Sequence, residues 1–216
     1  MKRIAFFAIL LVSSLLLPDM GLAQKEKPKC LEGVEFFTGF GWGKLRWKRD
    51  YHLTPFMVDF DLNLKPLTQK LNFNPRQLLQ FQIEPFISFV SQPDINVEIG
   101  TSFLLKIGIL PQTSKLQPFI LAGPGMVYMT QHTREQSTQF NFIEQAGMGI
   151  HYFFRKNIAF TLEGRFRHLS NSGIKHPNTG INTQFLLAGI SYQFWPQTYY
   201  KKFDISLSSP RLFLLL

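Results

Sequence analysis

The chain has 216 residues, with 23 Lys and Arg against 14 Asp and Glu, a formal charge of +9 and a single cysteine. One cysteine excludes a disulfide framework. No zinc-type spacing, glycine-rich nucleotide loop or nucleic-acid signature accompanies the positive charge, so no metal, cofactor or nucleic-acid partner is expected.

The N-terminus, MKRIAFFAILLVSSLLLPDMGLAQ, has the layout of an export signal. Lys2 and Arg3 form a basic start, and Ile4 to Leu17 is an apolar run interrupted by Ser13 and Ser14. Gly21-Leu22-Ala23 places small residues where a signal peptidase reads them, which predicts a signal peptide over 1–23 and cleavage before Gln24. The run is short for a transmembrane helix, and no second one follows. Cys30 lacks the small-residue box of a lipoprotein. The mature chain would keep 21 basic and 13 acidic residues, a charge of +8. For an exported protein that charge suits an anionic membrane surface better than nucleic acid.

Beyond Gln24 no segment sustains a helical apolar stripe. Segments of strand length recur instead, rich in Phe, Ile, Val and Tyr and separated by turn residues. They fall at 33–43 (GVEFFTGFGWG), 54–65, 78–90, 95–109, 116–130, 139–154, 157–170 and 181–194. Almost no helix is expected. The composition does not shift along 24–194, which reads as one domain, followed by a tail over 195–216 that closes with LFLLL.

Alternation assigns two faces to these strands. In the seventh, Ile158, Phe160, Leu162, Gly164 and Phe166 share one parity, while Thr161, Glu163, Arg165 and Arg167 share the other. The sixth repeats this, with Phe140, Phe142, Ala146, Met148, Ile150, Tyr152 and Phe154 on one face. A lipocalin-like soluble barrel or a secreted β-sandwich would also alternate. Strand lengths of about ten residues or more, aromatics near the strand ends and export favour an all-β, eight-stranded antiparallel transmembrane β-barrel with its apolar side to lipid. Closure of an even number of strands leaves no unpaired edge. The last strand ends Tyr192-Gln193-Phe194, which resembles the aromatic-terminated final strand of outer-membrane proteins. With both barrel ends periplasmic, 66–77, 110–115 and 155–156 lie inside, and 44–53, 91–94, 131–138 and 171–180 lie outside.

That topology gives the stretch RFRHLSNSGIKHPNTGIN (165–182) its interest. Continuing the apolar parity of the seventh strand gives Phe166, His168 and Ser170, so an imidazole and a hydroxyl point toward lipid at the outer rim. Their Cα atoms should be about 7 Å apart. Polar groups in such a place are costly without partners and mark a functional hypothesis. A serine beside a base is an activated nucleophile suited to acyl transfer. A bland reading competes: both residues reach the headgroup zone, where polarity is tolerated. The loop that follows offers Asn171, Gly173 and Asn178 as donors for an oxyanion near Ser170. It equally resembles an ordinary hairpin loop turned by Pro177 and Gly180.

HLSNSGIKHPNTGIN resembles the signature of the PagL family, the outer-membrane lipid A 3-O-deacylases. The matching positions are His168, Ser170, Asn171, Gly173, Pro177, Asn178 and Gly180. The resemblance implies an eight-stranded barrel that hydrolyses the ester-linked acyl chain at the 3-position of lipid A, with lipopolysaccharide as substrate and the site facing the outer leaflet. By position it makes Ser170 the nucleophile and His168 the base, with Asn171, Gly173 and Asn178 around the oxyanion. The family's acid, a glutamate, falls at Asn182 here. Asn182 shares the outward parity of Leu186, Ala188 and Ile190, and an asparagine can orient a histidine. It cannot neutralise an imidazolium. Glu144, outward on the neighbouring strand, could stand in, although a surface or lumen contact is the more ordinary fate of such a residue.

Other residues carry weaker signals. His176 could touch a phosphate or be solvated, and His52, His132 and His151 form no metal set. Lys44, Arg46, Lys48 and Arg49 could hold lipid A phosphates or form a solvated loop, with Trp42 and Trp47 suited to an interfacial belt. Two functional classes follow. One is a serine esterase acting on lipid A, carried by the intact nucleophile and base. The other is a non-catalytic structural or adhesive barrel, favoured by the missing acid.

Overall fold

The computed structural model describes residues 30–46, 49–73, 75–131 and 133–194; the expected signal peptide and the tail from Trp195 lie outside them. The alternating segments form β1 (Leu31–Lys44), β2 (Asp50–Asn63), β3 (Gln77–Gln92), β4 (Asn96–Pro111), β5 (Leu116–Met129), β6 (Phe140–Arg155), β7 (Ile158–Ser170) and β8 (Ile181–Gln193). Each strand pairs antiparallel with the next, and β1 closes on β8 from Gly33↔Gln193 to Gly43↔Thr183. The barrel has a loop end, carrying 45–46, 49, 93–95, 130–131, 133–139 and 171–180, and a turn end that also holds the start of β1 and the end of β8.

The strand bounds differ from the sequence reading by one or two residues at most ends, and by more at the start of β2. β2 begins at Asp50, four residues before the expected start, within the stretch 44–53 read from sequence as an outer connection. Pro55 sits within the strand opposite Ser88, and its carbonyl accepts a hydrogen bond from Thr38 Oγ1 at 2.9 Å. β2 also ends at Asn63, short of Lys65. There the expectation of almost no helix meets one short turn, α1 (Lys65–Gln69), with Pro66 in its first turn. Proline's fixed φ suits a helix start, and Asn63 Oδ1 accepts the Lys65 N–H at 2.9 Å. The long connection between β2 and β3 hides this turn because five residues cannot display a helical period.

The two faces separate cleanly. Inward residues are buried, including Glu35, Asp59, Asp61, Glu84, Glu98, Lys106, Glu163, Arg165 and Arg167. Charges so enclosed must be paired. Lys106 Nζ meets Glu35 at 2.8 Å, Arg165 meets Glu84 at 2.5 Å, and Arg167 grips Glu98 through both terminal nitrogens at 2.7 and 3.2 Å. Toward the loop end the interior becomes apolar, with Leu45, Leu53, Val90, Met129, Ile143, Leu169, Ile181 and Phe185 packed together. This plug lies directly behind the ends of β7 and β8. The outward face carries exposed Phe, Ile, Leu and Met along every strand, among them Phe36, Phe56, Ile99, Met148 and Leu186. Water would not tolerate an apolar surface of that extent, whereas lipid requires it.

Candidate active site at the loop end of β7

His168 and Ser170 stand on the outward face of β7, both half-exposed, between fully buried Arg167 and Leu169. The alternation places them there: Phe160, Leu162 and Phe166 precede them on the same face. Register supplies the neighbours. His168 lies opposite Asn182 on β8 and opposite Glu144 on β6, while Ser170 lies opposite Phe142. The tight turn at 156–157 and a register shift between Phe153 and Arg155 set the β6–β7 pairing.

His168 Nδ1 and Asn182 Oδ1 are 2.6 Å apart. An amide oxygen only accepts, so Nδ1 carries the proton and Nε2 is left with its lone pair. That is the tautomer a general base needs. Among the described residues Ser170 Oγ has no protein hydrogen-bond partner, and it stands one pleat from the imidazole on the same face.

The loop 171–180 closes around the pair. Asn171 is buried and organises it: its Oδ1 accepts the Gly173 N–H at 3.0 Å, and its Nδ2 donates to Lys175 O at 2.7 Å and Ser137 Oγ at 3.2 Å. Its own N–H donates to Asn178 Oδ1 at 3.0 Å. Asn171 and Gly173 therefore use these donors within the loop and on Ser137, and of the three residues only Asn178 has a side-chain amide NH2 that donates to no protein group among the described residues.

Gly180 does more than turn the chain. Its φ is +74°, and a Cβ there would lie 2.4 Å from His168 Cε1 and 3.1 Å from Nε2. The imidazole rests on the bare backbone. Gly180→Ala would cost about 1–2 kcal/mol for the left-handed backbone and would push the ring away. Displacement of a reacting group by about 1 Å can lower turnover by about 10²-fold. We expect a loss of that size in kcat with the barrel still folded, checked by fatty-acid release beside the heat-dependent gel mobility of the variant.

A second loop, 133–139, braces this one, a role the sequence did not signal. Thr179 N–H donates to Glu135 O at 3.0 Å, Ser137 N–H donates to Pro177 O at 3.1 Å, and Gln136 bridges to Asn178. Glu135 also accepts the Arg46 N–H at 3.0 Å, tying the first outer loop to the same brace. These contacts span tens of residues between segments without periodicity, so no local pattern announces them.

Beside Asn182 the outward surface opens into a groove of about 500 Å3 lined by Trp42, Lys44, Asp50, His52, Phe166 and Gln184 among others. Trp42 stacks on Phe40 at 6.0 Å. The expected basic stretch is thus divided: Lys44 faces the groove, Arg49 pairs with Asp94 at 3.4 Å in solvent, and Trp47, Lys48 and His132 lie outside the described residues. His176 is exposed, and His151 is buried in the barrel, where its Nδ1 meets Thr161 Oγ1 at 2.8 Å. Among the described residues no cluster of His, Cys, Asp and Glu could hold a metal.

A comparison with protein families matches residues 41–191 to the model described as lipid A 3-O-deacylase (PagL). The match runs from β1 to β8 and includes His168, Ser170, Asn182 and the whole loop between them. The chain belongs to the lipid A 3-O-deacylase (PagL) family. Solved structures agree on the barrel. The crystal structure of the outer membrane enzyme PagL aligns with a TM-score of 0.53 and 15% identity, covering 72% of this chain and 97% of that one. The neisserial surface protein A (NspA) aligns with a TM-score of 0.58 and 10% identity, covering 75% and 96%. At these identities both demonstrate the fold alone. No curated protein matches the chain. The PagL family membership and the eight-stranded barrel thus agree with the resemblance of the 165–182 stretch.

Proposed function

We propose that this protein is an outer-membrane serine esterase that removes the 3-O-linked acyl chain from lipid A in the outer leaflet. The observation that carries this reading is the Asn182–His168 hydrogen bond of 2.6 Å beside Ser170 on the lipid-facing side. Ser170 Oγ attacks the ester carbonyl while its proton passes to His168 Nε2. The tetrahedral intermediate collapses as Nε2 returns that proton to the departing sugar hydroxyl, leaving an acyl-serine. Water then attacks the acyl-serine and gives a proton to Nε2; the bond to Ser170 Oγ breaks as Nε2 returns that proton to it, and free fatty acid leaves. Asn182 holds the tautomer throughout.

Stabilisation of the oxyanion falls first to the Asn178 amide, since Asn171 and Gly173 shape the loop through bonds to each other. The groove beside Asn182 suits a lipid with a charged head: Trp42 and Phe166 offer apolar wall, and Lys44 offers a cation at the rim. Family membership supports lipid A as the substrate.

A second reading has its own observation. Asn182 occupies the place where the family resemblance puts a carboxylate, which favours a barrel that kept the fold and lost catalysis. Purified protein in detergent micelles with lipid A separates the two. The esterase releases free fatty acid, and His168→Ala stops the release; a non-catalytic barrel releases none in either form.

A further inference from the structure

Glu144 is the one acidic side chain on the outward faces of β5 to β8. Running along those faces, Leu116 to Tyr128, Phe140 to Phe154, Ile158 to Ser170 and Asn182 to Tyr192, the same parity holds only apolar, aromatic, amide and hydroxyl residues besides Glu144 and His168. These two stand directly opposite each other on β6 and β7. On its other side Glu144 faces Pro124, which has no N–H to offer, and along its own strand it lies between Phe142 and Ala146. A carboxylate on a lipid-facing wall is costly, and its only polar neighbours are His168 and, diagonally, Ser170. Opposed residues of an antiparallel pair hold their Cβ atoms about 5 Å apart, so a change of rotamer brings carboxylate to imidazole.

From this placement we infer that Glu144 is a positioning residue that supplies the negative charge missing at Asn182, acting through His168. The labour is divided between two strands. Asn182 fixes the tautomer from β8, and Glu144 balances the imidazolium from β6 when the Ser170 proton arrives. In the neutral state the imidazole does not need the carboxylate, which fits the observed geometry, in which His168 bonds Asn182 and not Glu144. The chemistry calls for a fixed negative charge near the protonated base, because an amide cannot offset the positive charge of the transition state.

The inference rests on His168 serving as the base of an esterase. In the full-length protein in micelles, Glu144→Gln is expected to lower kcat on lipid A by at least about 10-fold with KM nearly unchanged. Glu144→Asp should recover part of the loss, and Glu144→Gln combined with Asn182→Glu should recover most of it by moving the carboxylate across the ring. A Glu144→Gln variant with wild-type kcat overturns the inference while leaving the esterase standing. If wild type releases no fatty acid, the esterase reading falls and the inference falls with it.

Discussion

Ser170→Ala removes fatty-acid release from lipid A by at least about 10³-fold, and His168→Ala does the same, while both barrels fold. The expectation follows from where the two side chains stand. Neither contributes to the core: the buried residues of that strand end are Arg167 and Leu169, which hold Glu98 and the apolar plug. Loss of an outward hydroxyl therefore leaves packing, register and closure as they are. Nucleophile and base act as a unit, so the double variant should be no worse than either single one. Heat-dependent gel mobility reports the folded barrel, and fatty-acid release reports the chemistry. Full activity in Ser170→Ala would place the nucleophile elsewhere.

Asn182→Ala lowers kcat by about 10²-fold with substrate affinity largely kept. With the acceptor at Nδ1 gone, nothing favours the tautomer that leaves Nε2 unprotonated, and the ring loses the bond that fixes its plane. Asn182→Glu changes the same atom pair in the other direction. A carboxylate at that position still accepts from Nδ1 and adds a charge that stabilises the imidazolium, so turnover should rise. Steady-state kinetics on lipid A micelles measure both. Equal turnover in wild type and Asn182→Ala would remove Asn182 from the site.

Much of this site was legible from alternation. Once the parity of Phe160, Leu162 and Phe166 was read as outward, the orientations of His168 and Ser170 followed, and the same rule gave Glu144 and Asn182. What alternation does not supply is level. That Glu144 and Asn182 meet His168 at one height depends on the register of two hairpins, fixed by the tight 156–157 turn and by the ten-residue loop before Ile181. The strand edges were legible to within one or two residues, except at the start of β2, which begins four residues early at Asp50.

Loop chemistry was the least legible part. Asn171, Gly173 and Asn178 read as three equivalent donors, yet Asn171 and Gly173 bond each other, because a buried asparagine must satisfy its own amide first. Gly180 read as a turn residue, and a turn residue it is; the ring lying against its backbone has no signature in sequence. The brace from Glu135, Gln136 and Ser137 joins segments about 40 residues apart, a distance over which periodicity carries no information.

The proposed reaction is cleavage of a single ester of lipid A by this barrel. Mass spectrometry of lipid A from cells with and without the protein tests it most directly, with fragmentation locating the altered position. Cells carrying wild type should contain lipid A lacking one acyl chain, at the 3-position, and cells carrying Ser170→Ala should contain intact lipid A. Intact lipid A in both, with the wild-type barrel folded in the outer membrane, would contradict it.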